Sequence, residues 1–227
     1  MTTFNGFYPE TITFFENLKE NNHKDWFEDH KADYEKYVKQ PSCEFVVAMG
    51  DALREISPNI RAVPKVNQSL FRLNRDVRFS KDKSPYKTHF GLWLWEGSRK
   101  RMENSGFYLH LEGDRLLLGA GIYRFPKPLL EIFRRAVVDE KRGPELLRAV
   151  SQVTGKKMSV GSKHYKRVPV GFQASGKTAE LLLYNGLHAG VEMPVPKSFF
   201  KKDLIDFAYR KFETMLPIHA WLRSILL

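Results

Sequence analysis

The chain has 227 residues and a mass of 26.5 kDa, with 37 Lys and Arg against 26 Asp and Glu, a net charge of +11 and a pI near 9.6. That length suffices for a core burying on the order of 70% of the unfolded surface, and the single cysteine, Cys43, excludes an intrachain disulfide. The longest apolar run, Leu116 to Tyr123, is too short to span a membrane, and the start Met1-Thr2-Thr3-Phe4-Asn5-Gly6 lacks the basic block and apolar core of a secretory signal, so a reducing, cytoplasmic setting without membrane contact is expected.

Three helices are predicted first. Pro9 suits an opening turn, Ile12, Phe15 and Leu18 follow at helical spacing, and Asn21-Asn22 stops the helix. Phe27, Tyr34 and Val38 mark a second apolar stripe. Pro41 starts a third, with Phe45, Met49, Leu53 and Ile56, closed by Pro58. Strands follow: residues 66–73, then Phe90 to Trp95, then a hairpin from Phe107 to Tyr123 that turns at Gly113-Asp114. One hairpin face carries Phe107, Leu109, Leu111, Leu116, Leu118 and Ala120 and is expected in the core. The other carries Tyr108, His110, Glu112, Arg115, Leu117, Gly119 and Gly121, half polar and partly bare, with Tyr108 opposite Gly119, where space is left for the ring or for a ligand. Pro126 to Glu140 and Gly143 to Thr154 read as amphipathic helices, Lys156 to Arg167 as a basic connector, Leu187 to Val195 as an edge strand, and Lys197 to Leu227 as a long helix kinked at Pro217.

The expected fold class is α+β: a mostly antiparallel sheet of four to six strands packed against the amino-terminal helices and a long carboxy-terminal helix. Residues 1–227 read as a single domain with a helical front (1–60), a strand-rich middle (66–123) and a helical back (126–227).

Charge is distributed unevenly. Residues 1–60 hold 11 acids against 6 bases, and the remaining residues hold 15 acids against 31 bases. The densest cationic stretch runs from Arg72 to Lys87, with six bases (Arg72, Arg75, Arg78, Lys81, Lys83, Lys87) against Asp76 and Asp82. Arginine grips phosphate or carboxylate through a planar fork and lysine adds a mobile point charge, so the stretch is a candidate anion site. Tyr86, Tyr108 and His110, with the two aspartates, are candidate pocket residues. The competing reading pairs the arginines internally, with Asp76, Asp82 and the acidic front, to give a structural or partner-binding module. Nucleic-acid binding by the basic body, including Lys156 to Arg167, is a further, less favoured reading.

Gly171-Phe172-Gln173-Ala174-Ser175-Gly176-Lys177-Thr178 matches the nucleotide phosphate loop letter for letter. The segment before it is basic and broken by Pro169, which argues against the buried strand such a loop must leave, and a turn with Ser175 capping a short helix is expected instead. Trp93 and Trp95 share a strand face and are expected in the core rather than as a stacking platform. His23 and His30 read as surface or partner-contact residues. The histidines show no metal-binding spacing and Cys43 has no second thiol, so no metal is expected. No residue is assigned a catalytic role and no cofactor is named. In an enzyme built on this loop, Asp76 or Asp82 would serve as base and an arginine as charge stabiliser.

Asn21-Asn22 with Trp26-Phe27, the helix through Lys31 and Tyr34, Pro41, and above all the run Arg75-Asp76-Val77-Arg78-Phe79-Ser80-Lys81-Asp82-Lys83-Ser84-Pro85-Tyr86-Lys87-Thr88 resemble the bacterial and fungal family called domain of unknown function 2461. Gly106-Phe107-Tyr108-Leu109, Gly119-Ala120-Gly121 and Pro169-Val170-Gly171-Phe172 are similar to its later strands and turn. The resemblance covers nearly the whole chain. It implies a stand-alone domain of about this size, brings no established activity, and marks the phosphate-loop match as accidental. The expected ligand is a small phosphorylated or carboxylated molecule.

Overall fold

The computed structural model describes residues 3–226. A five-stranded antiparallel sheet forms the centre of the α+β fold, in the order β1-β2-β3-β5-β4, from β1 (His89–Glu96), β2 (Ser105–Glu112), β3 (Arg115–Ile122), β4 (Ser159–Lys163) and β5 (Tyr184–Pro194). The chain forms two compact units that alternate along the sequence. One comprises Met1–Leu94, Tyr108–Leu117 and Glu192–Tyr209, and the other Trp95–Phe107, Leu118–Val191 and Arg210–Leu227.

The first unit is helical at its start. Helix α1 (Pro9–Glu20) buries Phe14, Phe15 and Leu18. After α2 (Lys24–Asp29), the chain runs without a break through α3 (Lys31–Asp33), a π-helical segment (Tyr34–Lys39) and α4 (Gln40–Leu53). The helix expected to start at Pro41 is therefore the continuation of its predecessor. Proline has no N–H to give the carbonyl four residues earlier. That carbonyl, on Tyr37, instead accepts a 2.6 Å hydrogen bond from the Thr11 hydroxyl of α1. The neighbouring ladder widens to i→i−5, as in the bond from the Gln40 amide to the Glu35 carbonyl. The core of this unit is aromatic: Phe7 stacks on Phe199 at 4.7 Å and tilts against Phe90 at 5.2 Å, while Phe15 of α1 stacks on Phe90 at 5.9 Å.

Residues 66–73 do not form the expected strand. Asn67 adopts a left-handed φ of 65° and its amide bonds to the Leu70 carbonyl, so the chain doubles back and forms isolated bridges, Val66 to Leu70, Leu70 to Leu92 and, just beyond, Asn74 to Tyr86. Phe71 and Trp93 still donate amide bonds to Gly91 and Ser69, which lays this irregular segment beside β1.

The hairpin of β2 and β3 forms as expected, with Gly113 at φ 55° in the turn and Phe107, Leu109, Leu111, Leu116, Leu118 and Ala120 all buried. Trp93 and Trp95 are buried as well. In the second unit, α5 (Lys127–Val138) and α6 (Arg142–Gly155) form near the expected bounds. The basic connector instead contains β4, which pairs with β5 through Ser159 with Gly190, Val160 with Ala189 and Gly161 with His188. Thus β5 is flanked on both sides and is not an edge strand, and β4 takes the edge. Carboxy-terminally, a 3₁₀ turn (Lys197–Phe200) precedes α8 (Leu204–Leu226), which carries Pro217 inside it. Phe212 of α8 packs on Phe107 at 5.2 Å, and Phe133 of α5 meets Trp221 edge-on at 6.0 Å.

Candidate functional site

The cationic stretch divides into two parts. From Arg75 to Ser84 it is an exposed loop that partly neutralises itself. Arg78 engages both oxygens of Asp76 through Nε at 2.9 Å and Nη2 at 2.7 Å, which holds the Asp76 carboxyl below its ordinary range and raises the guanidinium. Asp82 accepts bonds from the Ser84 hydroxyl at 2.6 Å and the Ser84 amide at 2.9 Å and faces Arg75 Nη1 at 2.5 Å, which together lower its pKa to about 2. Lys83 donates to the Val77 carbonyl at 3.0 Å. Lys81 is exposed, and Phe79 at the tip is 94% exposed.

Arg72 and Lys87 lie elsewhere, in the lining of a cleft of about 230 Å³ in the first unit. Its walls are Phe71, Leu73 and Phe90, and its polar lining is Arg72, Lys87, Tyr34, His89 and Tyr108. Among the described residues, no acid is in its lining. Lys87 Nζ donates to the Arg72 carbonyl at 2.9 Å and the Lys87 amide to the Leu73 carbonyl at 2.9 Å, so the two cationic segments are held together.

Gly91 makes room for Tyr108, because a Cβ there would lie 2.5 Å from the phenol oxygen. Tyr108 then bonds His110 Nδ1 at 2.9 Å. Burial, reinforced by Glu112, pushes the Tyr108 phenol up to about 12, and burial with Glu35 does the same for Tyr34. Both phenols stay protonated and are hydrogen-bond donors. His89 is held neutral, its pKa lowered to about 4 by burial and by His110 and Lys87, against the opposing pull of Glu112.

Of the residues expected at the site, Arg72, Lys87 and Tyr108 line the cleft, and His110 adjoins it through Tyr108. Arg75, Arg78, Lys81, Lys83, Asp76 and Asp82 are not among the lining residues. Tyr86 is buried under Phe27 at 4.3 Å, and the Asn22 side chain clamps its backbone with bonds of 2.9 and 3.0 Å. Tyr34, His89 and Gly91 were not anticipated. The doublet Asn21-Asn22 signalled a helix end but not this clamp. The expectation of no metal rested on spacing along the chain, whereas strand pairing brings the donor atoms of His89, His110 and Glu112 within 4.8 Å of one another.

The other motifs resolve structurally. No strand leads into Gly171 to Thr178: residues 164–170 are irregular, and α7 (Gly176–Leu181) has only six residues, with no capping bond from the Ser175 side chain. In Lys156 to Arg167, Lys163 pairs with Glu180 at 2.6 Å. His23 accepts from the Trp26 amide at the start of α2, and His30 stacks on Trp26 at 4.0 Å. In the second unit, Ser105, His219 and Glu96 line up as in a hydrolase triad, with Ser105 Oγ 2.8 Å from His219 Nδ1 and His219 Nε2 3.7 Å from Glu96. All three are buried, and Arg223 binds Glu96 at 2.9 Å, so the group is a sealed polar network rather than a substrate site.

The fold is α+β, built on a five-stranded antiparallel sheet, and the cleft lies where strands β1 and β2 meet the segments carrying Tyr34, Arg72 and Lys87. Residues 10–221 match the family described as "Conserved hypothetical protein (DUF2461)", and the chain belongs to that family. Compared with curated proteins and with solved structures, it finds no match.

Proposed function

We propose that the protein binds a small oxyanion, a phosphate ester or a carboxylate, in the cleft beside β1. The observation that carries this reading is the lining itself: two cations, two protonated phenols and a neutral imidazole around an apolar floor, with no acid among them. Arg72 and Lys87 supply charge, Tyr34 donates a hydrogen bond, as does Tyr108 when His110 Nδ1 carries the proton between them, and Phe71 and Phe90 exclude water, which strengthens each of these contacts. The cleft volume suits a ligand of a few heavy-atom groups rather than a polymer.

A thermal-shift series with inorganic phosphate, a sugar phosphate, citrate and short DNA, in the presence of chelator, tests it. A ligand at a hundred times its Kd adds about 2.7 kcal/mol, or roughly 5–10 °C for a chain of this size. The expected shift comes from small anions and disappears in Arg72→Ala and Lys87→Ala. No shift from any small anion rejects the reading. A shift from DNA alone, lost steeply with salt, moves the function to the basic surface.

A second reading concerns the outer loop alone. The pairs Arg78 with Asp76 and Arg75 with Asp82 favour a structural or partner-contact role for residues 75–84, outside the ligand site.

A further inference from the structure

Beside the cleft stands a cluster of which the anion reading uses only His89. His110 and Glu112 stand two residues apart on β2 and so share a face of the sheet, and His89 begins the neighbouring strand β1. Glu112 faces both imidazoles: one carboxylate oxygen is 3.5 Å from His110 Nε2 and the other is 3.9 Å from His89 Nδ1. The ring centroids are 4.7 Å apart, and one donor atom from each of the three residues falls within 4.8 Å of the other two.

These separations are long for direct pairing, and the shortest of them matches shared ligation. A charge-assisted N–H to carboxylate bond closes to about 2.7–2.9 Å. Two ligand atoms on one cation, each bonded at about 2.0–2.2 Å, stand roughly 3.0–3.5 Å apart in tetrahedral or octahedral geometry. The His110 contact is already at that spacing, and Glu112, with its side chain 64% exposed, can shorten its 3.9 Å distance to His89, while ligation by both imidazoles requires their rings to draw together from within 4.8 Å. The Tyr108 phenol fixes the His110 ring from behind at Nδ1, which leaves Nε2 directed to the carboxylate. An outer partner of that kind is what holds metal-bound imidazoles in place. Two imidazoles and one carboxylate with an open side are the donor set of catalytic zinc sites and of non-haem iron sites.

We infer that His89, His110 and Glu112 bind a divalent first-row transition cation of the class of Zn²⁺, Co²⁺ or Fe²⁺, with the remaining coordination positions open to water. The cation would sit beside the anion cleft, since His89 belongs to both. The inference rests on donor geometry and stands whether or not the cleft takes an anion.

The test uses the full chain stripped with chelator and then freed of it. ZnCl₂ is titrated by calorimetry and CoCl₂ by visible absorption. One equivalent of either is expected to bind, cobalt giving the intense band of a four- or five-coordinate ion. His110→Ala and Glu112→Gln are expected to weaken binding by more than the roughly hundredfold upper figure for losing an outer partner, and Tyr108→Phe by about ten- to hundredfold. His164→Ala, at an exposed histidine remote in sequence, is expected to leave it unchanged. Because Glu112 is exposed, its variant keeps the fold, which a melting curve verifies. Absence of saturable binding, or undiminished affinity in both Glu112→Gln and His110→Ala, overturns the inference. The phosphate shifts described above, measured with chelator present, judge the anion reading separately.

Discussion

Glu96 and Arg223 allow a quantitative test of how the second unit is held together. The Glu96 side chain is 1% exposed and faces Arg223 Nη2 at 2.9 Å and His219 Nε2 at 3.7 Å. His219 is kept from charging by burial, although Glu96 pulls the other way, and Arg223 is a cation paired with the carboxylate. Removing one partner of a buried pair costs about 3–5 kcal/mol. Arg223 retains 27% exposure, so water partly replaces it and the lower end, about 3 kcal/mol, applies to Arg223→Ala. At about 2–4 °C per kcal/mol for a chain of this size, the melting temperature falls by roughly 6–12 °C. Differential scanning calorimetry at pH 7 measures this directly. The double variant Glu96→Gln, Arg223→Met loses clearly less than the sum of the single changes, because no unpaired charge remains. A fall below about 2 °C for Arg223→Ala, or strict additivity in the double variant, refutes the argument.

Other outcomes follow from the cleft and its loop. The unfolded state protonates His89 below pH 6.5, whereas the folded state does so only near pH 4. His89 therefore contributes stability that is fully present above pH 6.5 and is lost as pH falls through that window, and His89→Asn flattens the stability profile there, as read by urea melts across pH. Gly91→Ala drives a methyl into the Tyr108 ring, costs about 1–3 kcal/mol and abolishes the phosphate response, as checked by melting with and without ligand. Arg75→Ala breaks a pair whose acid, Asp82, is exposed, together with a bond to the Ser84 carbonyl, and lowers the melting temperature by at most about 4 °C while leaving the phosphate response intact.

The sequence was most legible where a pattern is local. The stripe of α1 and the alternation of the hairpin each declare their buried face within a few residues, and Phe107, Leu109 and Leu111 lie in the core as that alternation requires. Strand β4 escaped because an edge strand of five residues carries too few apolar positions to alternate visibly, and its surrounding lysines read as a connector. The segment 66–73 misled in the opposite direction: its composition suits a strand, but the left-handed turn at Asn67 is a tertiary choice. In the site, Arg72, Lys87 and Tyr108 were legible as charge and as an aromatic on a half-polar face. Tyr34, His89 and Gly91 were not, since each joins the cleft through strand pairing or helix phase rather than spacing. The arginines at 75 and 78 have the right chemistry but nearer acids, and counting charges along a chain does not say which neighbour each will meet.

The widened turn before Pro41 has a bearing on how Tyr34 comes to line the cleft. A helix that accommodates one surplus residue turns everything on one side of it by about 100° relative to everything on the other. Deleting a single residue between 35 and 39 would restore a regular spiral and swing the phenol out of the wall it helps to build. The Thr11 hydroxyl, occupied with a carbonyl twenty-six positions away, is the latch that keeps that surplus in place.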